Sequence, residues 1–459
     1  MRRRKFIEVS ALLPVVAQSE SSLRRMTLVD QERIQEEKRT LPVVDAFDVI
    51  VCGGGPAGVS AAIEAGRQGA KTLLVEVHGC LGGVWTAGNL TWILDQVNKA
   101  GLMREIETRL LDHGGISRDV DTGDIISFDA EIMKWLLEDL CTSANVQMCY
   151  HTRVVATNKD EHNRLTHIIT ESKSGREAWA GKLFIDCTGD GDLAALSGCN
   201  FDLGQPSNQA LQPFSMLALI GGIQFNQIRE FSRYAGDHKS GSKKRLLQEI
   251  IKGAVIPSYT RPGLYPIRKN LFMLMANHEY GYSPLDARAV TKATVHARKE
   301  VHAIIKALRS NGGVWSDIHV IATPEQIGTR EGRRIHGLYK VTEQDLVKGA
   351  HFDDAVCRVT FPVDVHAVSK VQEVEGSGYS RGVKSKDYDI PMRSLIAKDV
   401  AGLMMAGRCI SGDFIAHSSY RVTGNAVTMG QAAGRASAIA ARKRLLPQEL
   451  AFRELGLTD

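Results

Sequence analysis

The stretch from Phe47 to Glu76, FDVIVCGGGPAGVSAAIEAGRQGAKTLLVE, admits few folds. Phe47–Cys52 is a short apolar run with β-branched residues, the pattern of a buried strand. Gly53, Gly55 and Gly58 follow as G-x-G-x-x-G, Pro56 to Ala70 reads as an Ala-rich helix, and Lys71–Val75 is a second strand ending at Glu76. Gly53 permits the tight turn out of the strand, Gly55 lets the backbone approach a pyrophosphate, and Gly58 lets helix and strand pack closely. A helix opening at Pro56 and Ala57 presents free N–H groups and a partial positive charge to phosphates. Glu76, about 20 residues beyond the glycines, stands where a carboxylate bonds ribose hydroxyls. A Gly-rich turn in another α/β unit would supply the glycines, but not the strands, small-residue helix and acid in register.

Other classes of function are narrowed by composition. The chain has 459 residues, 43% hydrophobic and 24% charged, long enough for two domains with a sizeable core. Net charge is +5, and Arg2, Arg3, Arg4 and Lys5 against Glu8 place three of those charges in the first 17 residues. The body is therefore not strongly basic, and nucleic-acid binding is not implied. No apolar run approaches the length of a membrane span.

The N-terminal segment, 1–40, reads as an export signal and linker. Arg3-Arg4-Lys5-Phe6-Ile7 resembles a twin-arginine signal, and an apolar stretch from Val9 to Ala17 follows, then polar residues from Gln18. Glu8 at the head of the apolar stretch departs from that pattern. The expectation is export to the periplasm, with a cytoplasmic protein carrying a basic start as the alternative.

Eight cysteines contain no C-x-x-C, so neither a zinc-ribbon spacing nor a dithiol pair is present, and no metal site is expected. Cys52 and Cys187 lie in apolar strand patterns and read as buried small side chains. Cys141 and Cys149 flank a helix-to-strand turn where a disulfide stays open. Cys80 lies in the loop beyond Glu76; it and His78 keep a covalent cofactor link open, although a non-covalent one is expected.

That loop, VHGCLGGVWTAGN, holds Gly82, Gly83 and Gly88 and can run close to a ligand. Together with the first stretch, its L-G-G-x-W-T resembles the FAD-dependent oxidoreductase family of glutathione-reductase-type flavoproteins. The resemblance implies FAD as cofactor, with Gly82, Gly83, Trp85 and Thr86 along it. Disulfide reductases of the wider group place a redox cysteine pair just after this L-G-G; Val84, Trp85 and Thr86 stand there, so disulfide reduction is not expected. Further on, Ile132, Met133, Leu136, Leu137 and Leu140 recur at helical spacing with Ser127 or Asp129 as cap. Val146–Tyr150 and Arg153–Thr157 read as strands, and in similar flavoproteins the position of Val154 contacts the adenine. Leu183–Cys187 enters Thr188-Gly189-Asp190-Gly191, similar to the family's second FAD fingerprint. The Asp190-Gly191 pair also resembles flavin hydroxylases, but Leu193-Ala194-Ala195-Leu196 departs from their nicotinamide-serving continuation.

From 200 to 389 no second strand-glycine fingerprint appears, so no separate NAD(P)H domain is expected. The region reads as a mixed α/β substrate domain, with a helix starting at Ser283-Pro284 and running through Val290, Ala297, Val301 and Leu308. Ile327 to Ile335 resembles the family's G-x-R-E-x-R-R segment, and Arg330 is a candidate substrate clamp, an ion-paired structural cluster around Glu331 being the other reading. His296, His302 and His336 lack spacing that demands a metal. Beyond 390, Tyr388 to Leu395 resembles the family's I-P-Y-R-x-L strand, and Leu403 to Arg408 delivers an A-G-R turn that, in the family, meets the ribityl chain and pyrophosphate. Asp413 is a further cofactor candidate. A helix from about Gly424, with Asn425, could stabilise negative charge on reduced flavin. His417 and Arg421 precede it as base and anion partner.

The expected fold class is α/β: a Rossmann-like FAD-binding domain in two parts, 41–199 and 390–459, around an inserted mixed α/β substrate domain at 200–389. The expected function is hydride transfer between a small polar organic substrate and flavin N5. Electrons would pass to oxygen, a quinone or a carrier protein. The alternatives are a flavin-dependent reductase of an activated double bond, or a flavin-bound assembly or sensor protein without turnover.

Overall fold

Continuous burial, not alternation, marks the first strand. Val49, Ile50, Val51 and Cys52 have no exposed surface, as expected for a strand covered on both faces of a parallel sheet. The computed structural model describes residues 36–97, 99–118, 125–232, 241–375 and 380–456, and the twin-arginine reading lies outside them. Residues 36–41 carry no helix or strand, and Arg39 pairs with Glu36 at 2.6 Å. The body, Pro42–Asp459, is one compact unit.

In chain order its main elements begin with β1 (Val43–Cys52), α1 (Pro56–Arg67) and β2 (Thr72–Val75). Then come α2 (Ala130–Ser143), β3 (Val146–Cys149), β4 (Arg153–Lys159), β5 (Leu165–Ser172) and β6 (Gly175–Asp186). A second group holds β7 (Leu217–Gly221), β8 (Gly263–Arg268), β9 (Leu271–Met275), α3 (Ala287–Ser310) and β10 (His319–Ala322). The chain closes with β11 (Leu403–Met405), α4 (Phe414–Tyr420) and α5 (Thr423–Lys443).

The first sheet runs β3-β2-β1-β6-β5-β4, with β11 beside the C-terminal half of β6. Strands β3, β2, β1, β6 and β11 are parallel, and β4 to β6 form an antiparallel meander. The second sheet, β8-β9-β7-β10, is antiparallel and lies in sequence between β6 and β11. Here the period is two. Ala218 and Ile220 turn inward with Leu264, Phe272 and Leu274 onto Ala297, Val301 and Ile304 of α3. Leu217, Tyr265 and Met273 face the other way, where Leu90 and Trp92 pack on them. The fold is thus a Rossmann-like α/β unit joined to a mixed α/β segment.

Helix boundaries shift by a few residues from the sequence reading, each for a local reason. α1 stops at Arg67 because Gly69 turns the chain at φ +82°. Asp129, not Ser127, caps α2, accepting from the Glu131 and Ile132 N–H groups. Ser127 instead donates to the Pro266 carbonyl. Asp286 caps α3 at the Arg288 N–H, while Ser283 holds the turn before it. The strand at Tyr388 ends at Pro391 and passes into a short 3₁₀ turn. α5 crosses α1 at two glycines: a Cβ on Gly430 would lie 2.1 Å from the Ala57 carbonyl oxygen, and one on Gly434 2.1 Å from that of Ala61. This contact seats the start of α5 beside the glycine loop. Among the described residues no helix is long and apolar enough to cross a membrane.

Candidate active site

The three glycines of the first loop do three different things. A Cβ on Gly53, at φ +99°, would lie 2.4 Å from the Cys187 carbonyl oxygen, and one on Gly58 would lie 1.7 Å from that of Gly53. Both are therefore close-packing positions. A Cβ on Gly55 would meet nothing within 4 Å, because Gly55 faces a cavity of about 510 Å³. Gly55 also caps α1 without a side-chain bond, leaving the first amides of that helix to the cavity side. One oxygen of Glu76 accepts from the Gly54 N–H and the other from the His78 N–H at 2.8 Å. Each carboxylate oxygen keeps a further lone pair, so Glu76 braces the loop and still presents acceptors to the cavity it lines.

Several polar atoms on or beside this wall have no hydrogen-bond partner in the protein: Thr329 Oγ1, Arg408 Nε, Arg421 Nε and Thr423 Oγ1. Buried polar groups are normally paired. Their convergence on a cavity that begins at a dinucleotide loop fits a polar, phosphate-bearing cofactor.

Of the residues singled out from sequence, the wall includes Gly53, Gly55, Pro56, Ala57, Glu76 and Gly83 from the first half of the chain. Val154, Thr188, Gly189, Arg330, Arg408 and Arg421 join them. His78, Val84, Gly88 and Gly407 line it too, and the remaining cofactor candidates stand behind the wall. Gly58 packs on Gly53, and Gly82 turns at φ +102° against Thr86. Trp85 is fully buried, edge-on to Phe128 at 6.1 Å, and Thr86 donates to the Leu81 carbonyl. Asp190 holds Arg408 at 2.8 Å. Asp413 spends both oxygens on backbone, accepting from Ala416 N–H at 2.8 Å and Glu343 N–H at 2.7 Å. Gly424 abuts the Asp95 carbonyl, and buried Asn425 accepts from the Cys357 thiol at 3.5 Å.

His417 is also behind the wall. Its four-residue spacing from Arg421 is helical, with the Arg421 N–H donating to the His417 carbonyl at 3.2 Å. Only the longer arginine side chain reaches the cavity. The His417 ring is fully buried, edge-on to Tyr420 at 5.5 Å, and neither ring nitrogen has a hydrogen-bond partner. Burial first, then Arg334, Arg421 and Arg408, hold it neutral.

On the wall instead are Asp364 and His366, which sequence reasoning missed. His366 Nε2 lies 3.3 Å from Asp364 Oδ2, and its backbone N–H donates to Gln212 Oε1 at 3.0 Å. Arg421 donates to the Asp364 carbonyl at 2.8 Å and lies 3.6 Å from its carboxylate. The signal was present as Val363-Asp364-Val365-His366, whose two-residue spacing sets acid and base on one side of an extended chain. Burial, then Arg330, pushes His366 down to about 3, with Asp364 opposing and Arg421 adding to it. Burial alone would raise Asp364, but the His366 hydrogen bond and the Arg421 and Arg330 charges hold it below the usual carboxylate range. The pair is a neutral imidazole oriented by an ionised carboxylate. Behind it His278 stacks on Tyr259 at 4.1 Å and meets His366 edge-on at 5.0 Å.

His278, His366 and His417 are all held below their ordinary value of 6.5, burial being the leading cause at each. A depressed folded-state value contributes stability that is present above 6.5 and lost as pH falls towards the folded value. Asp186, pushed up to about 6 by burial, works in the opposite sense and offsets part of this. Melting temperature should therefore fall steadily from pH 7.5 to 5, each histidine costing about 2 kcal/mol at the lower limit. A flat profile over that range would show that the three rings titrate normally.

All eight cysteines are free thiols, Cys141 and Cys149 included. Cys80 is off the wall, its thiol raised chiefly by burial, and His78 Nδ1 contacts Glu325 at 3.0 Å. Among the described residues no cluster could hold a metal ion.

Comparison with known proteins places this geometry in a family. The model of the FAD-dependent oxidoreductases matches residues 48–457. Dihydrolipoyl dehydrogenase of Trypanosoma brucei brucei is 50% identical over 46 residues, so the match spans 10% of this chain and 10% of that protein. Among solved structures, a geranylgeranyl bacteriochlorophyll reductase-like protein from Thermoplasma acidophilum is 12% identical at a TM-score of 0.47, covering 90% of this chain and 82% of the other. Flavin-dependent brominase Bmp2 is 11% identical at a TM-score of 0.47, covering 89% and 83%. The myxobacterial halogenase CndH is 10% identical at 0.45, covering 90% and 78%. With the family model matched along nearly the whole body, the chain belongs to the FAD-dependent oxidoreductases and is an enzyme whose cofactor is FAD.

Proposed function

We propose that this flavoenzyme oxidises a small polar organic substrate at a carbon bearing a hydroxyl or amine, with His366 taking the proton. The Asp364–His366 pair carries the reading, because it stands on the same cavity wall as the dinucleotide loop. When bound, FAD supplies the two-electron acceptor, taking hydride at N5 and passing electrons on to dioxygen, a quinone or a carrier protein. The chain's own residues do the rest. The Gly53–Ala57 loop and the α1 N-terminus would hold the pyrophosphate, Glu76 the ribose and Val154 the adenine, all of them on the cavity wall. Arg408, held by Asp190, adds a fixed positive charge. Asp364 orients the His366 ring through Nε2 and stabilises the imidazolium formed when the ring takes a hydroxyl or amine proton.

Neutral at working pH, the His366 imidazole has a free site for a proton, as oxidation requires, and carries no proton to donate, as reduction of an activated double bond would require. Disulfide reduction is disfavoured because Val84, Trp85 and Thr86 follow Leu81-Gly82-Gly83. The narrower likeness to glutathione-reductase-type flavoproteins rests on the loop beyond Glu76. Anaerobic stopped-flow mixing with a panel of alcohols, hydroxy acids and amines should bleach the flavin for at least one member. A panel that leaves it fully oxidised would overturn the proposal.

NAD(P)H should reduce the flavin poorly, since no second strand-glycine fingerprint follows residue 200. Rapid anaerobic bleaching by micromolar NADPH would contradict this and favour the reductase reading.

A further inference from the structure

We propose that the cavity lined by the Asp364–His366 pair holds a carboxylate subsite formed by Arg330 and Arg421, with His278 as the residue that aims Arg330, so that the substrate is an organic acid with an apolar body. The proposal deepens the reading above and rests on it.

Arg330 is held in a fixed orientation. It donates to the Pro213 carbonyl at 2.6 Å and to Ser215 Oγ at 3.0 Å, and its second terminal nitrogen lies 3.2 Å from His278 Nε2. An arginine only donates, so His278 Nε2 must accept and the ring proton sits on Nδ1. That proton has an acceptor: Nδ1 lies 3.2 Å from the Tyr280 hydroxyl, which itself donates to the Ser258 carbonyl at 3.0 Å. The chain of donors is therefore directional, from Arg330 through His278 and Tyr280 to backbone. Burial, Arg330 and His366 keep His278 neutral, as this role requires.

Arg421 is tied at one terminal nitrogen to the Asp364 carbonyl, yet its Nε has no partner in the protein. Burial lowers it to about 10, so it remains charged at neutral pH. Lys243 also lines the cavity, as do the carboxylates Glu76, Asp192 and Asp364, and Glu331 adds its charge near Arg421. The same cavity is also lined by apolar side chains, Leu217, Tyr265, Met275 and Phe361 among them. Two guanidiniums and an apolar lining in one cavity match a carboxylate joined to a hydrocarbon or aromatic body. Such a ligand would also offset the Arg330 field that depresses His366, and so raise the basicity of that ring only when substrate is present.

The test uses FAD-loaded enzyme with benzoate and its uncharged isostere benzamide. Binding is read both as a flavin absorbance difference and by titration calorimetry, so that spectrally silent binding is also seen. Benzoate should bind at least ten-fold more tightly than benzamide. Arg330→Gln should weaken benzoate by about 10- to 100-fold, the range for losing one charge-assisted bond, and leave benzamide unchanged. Arg330→Lys should fall between. His278→Gln, whose amide oxygen can accept from Arg330, should bind benzoate nearly as the parent does, whereas His278→Leu should not, at equal FAD content and melting temperature. Equal affinity for the two ligands, no binding of either, or an unaltered benzoate affinity in Arg330→Gln would overturn the subsite. Flavin reduction plays no part in these measurements. Benzoate binding in an enzyme that no organic acid reduces would sink the dehydrogenase reading alone. Reduction by a neutral alcohol without benzoate binding would sink the subsite alone.

Discussion

Gly55→Val should give a folded protein that carries no FAD, whereas Gly58→Val should give no folded protein. The two glycines are three residues apart in one motif, yet their surroundings are opposite. At Gly55 the backbone is extended, φ −71° and ψ −175°, which valine adopts without strain. A Cβ there meets no protein atom within 4 Å and points into the cavity. The branched side chain would take the space at the head of α1 that a pyrophosphate needs. At Gly58 a Cβ would sit 1.7 Å from the Gly53 carbonyl oxygen, inside covalent-scale distance, so α1 and β1 could not pack. Flavin absorbance and circular dichroism of the two purified proteins check this. A yellow Gly55→Val protein would show that the cofactor does not run along this loop.

His366→Asn should keep fold and FAD while slowing flavin reduction by roughly 10²- to 10⁴-fold, the usual range for a general base. Its backbone bond to Gln212 is unaffected, and an asparagine amide can still donate to Asp364, so the loss is confined to proton transfer. The comparison variant is His417→Asn. Behind the wall, that ring makes no hydrogen bond, and its replacement puts an amide into a fully buried site. The cost there is stability, roughly 0.5–3 kcal/mol for a smaller side chain in a close-packed site, with the rate of flavin reduction retained. Single-turnover reduction by the substrate identified from the panel distinguishes the two. Should His417→Asn lose the rate and His366→Asn retain it, the base is His417 after all.

The contrast between these histidines shows where the sequence ran out. His417 stood four residues before Arg421 and close to a helix start, and local periodicity placed both on one helix face correctly. Periodicity says nothing about depth. α4 is buried along its length, so a short imidazole stays inside while a long guanidinium reaches the wall. Asp413 likewise stands off the wall: its carboxylate caps α4 and also meets the Glu343 N–H, a contact between residues 70 positions apart. The Asp364–His366 pair lies in a segment without helix or ladder, and its only signal is the four-residue alternation Val363-Asp364-Val365-His366, too short to mark a site by itself.

By itself the sequence determined the dinucleotide-binding unit, because that unit is local. Strand, glycine turn, helix, strand and acid lie within Phe47 to Glu76, and the roles of Gly55 and Gly58 follow from steric rules that act over a few residues, whereas Gly53 also packs on the Cys187 carbonyl from β6's end. Only the tertiary structure decided which charged groups share a wall. Arg330 meets His278, Asp364 meets Arg421, and Gln212 meets His366 across 52, 57 and 154 residues of chain. Which of the chain's arginines and histidines face ligand and which face protein depends on burial and on long-range partners, and neither is encoded in spacing.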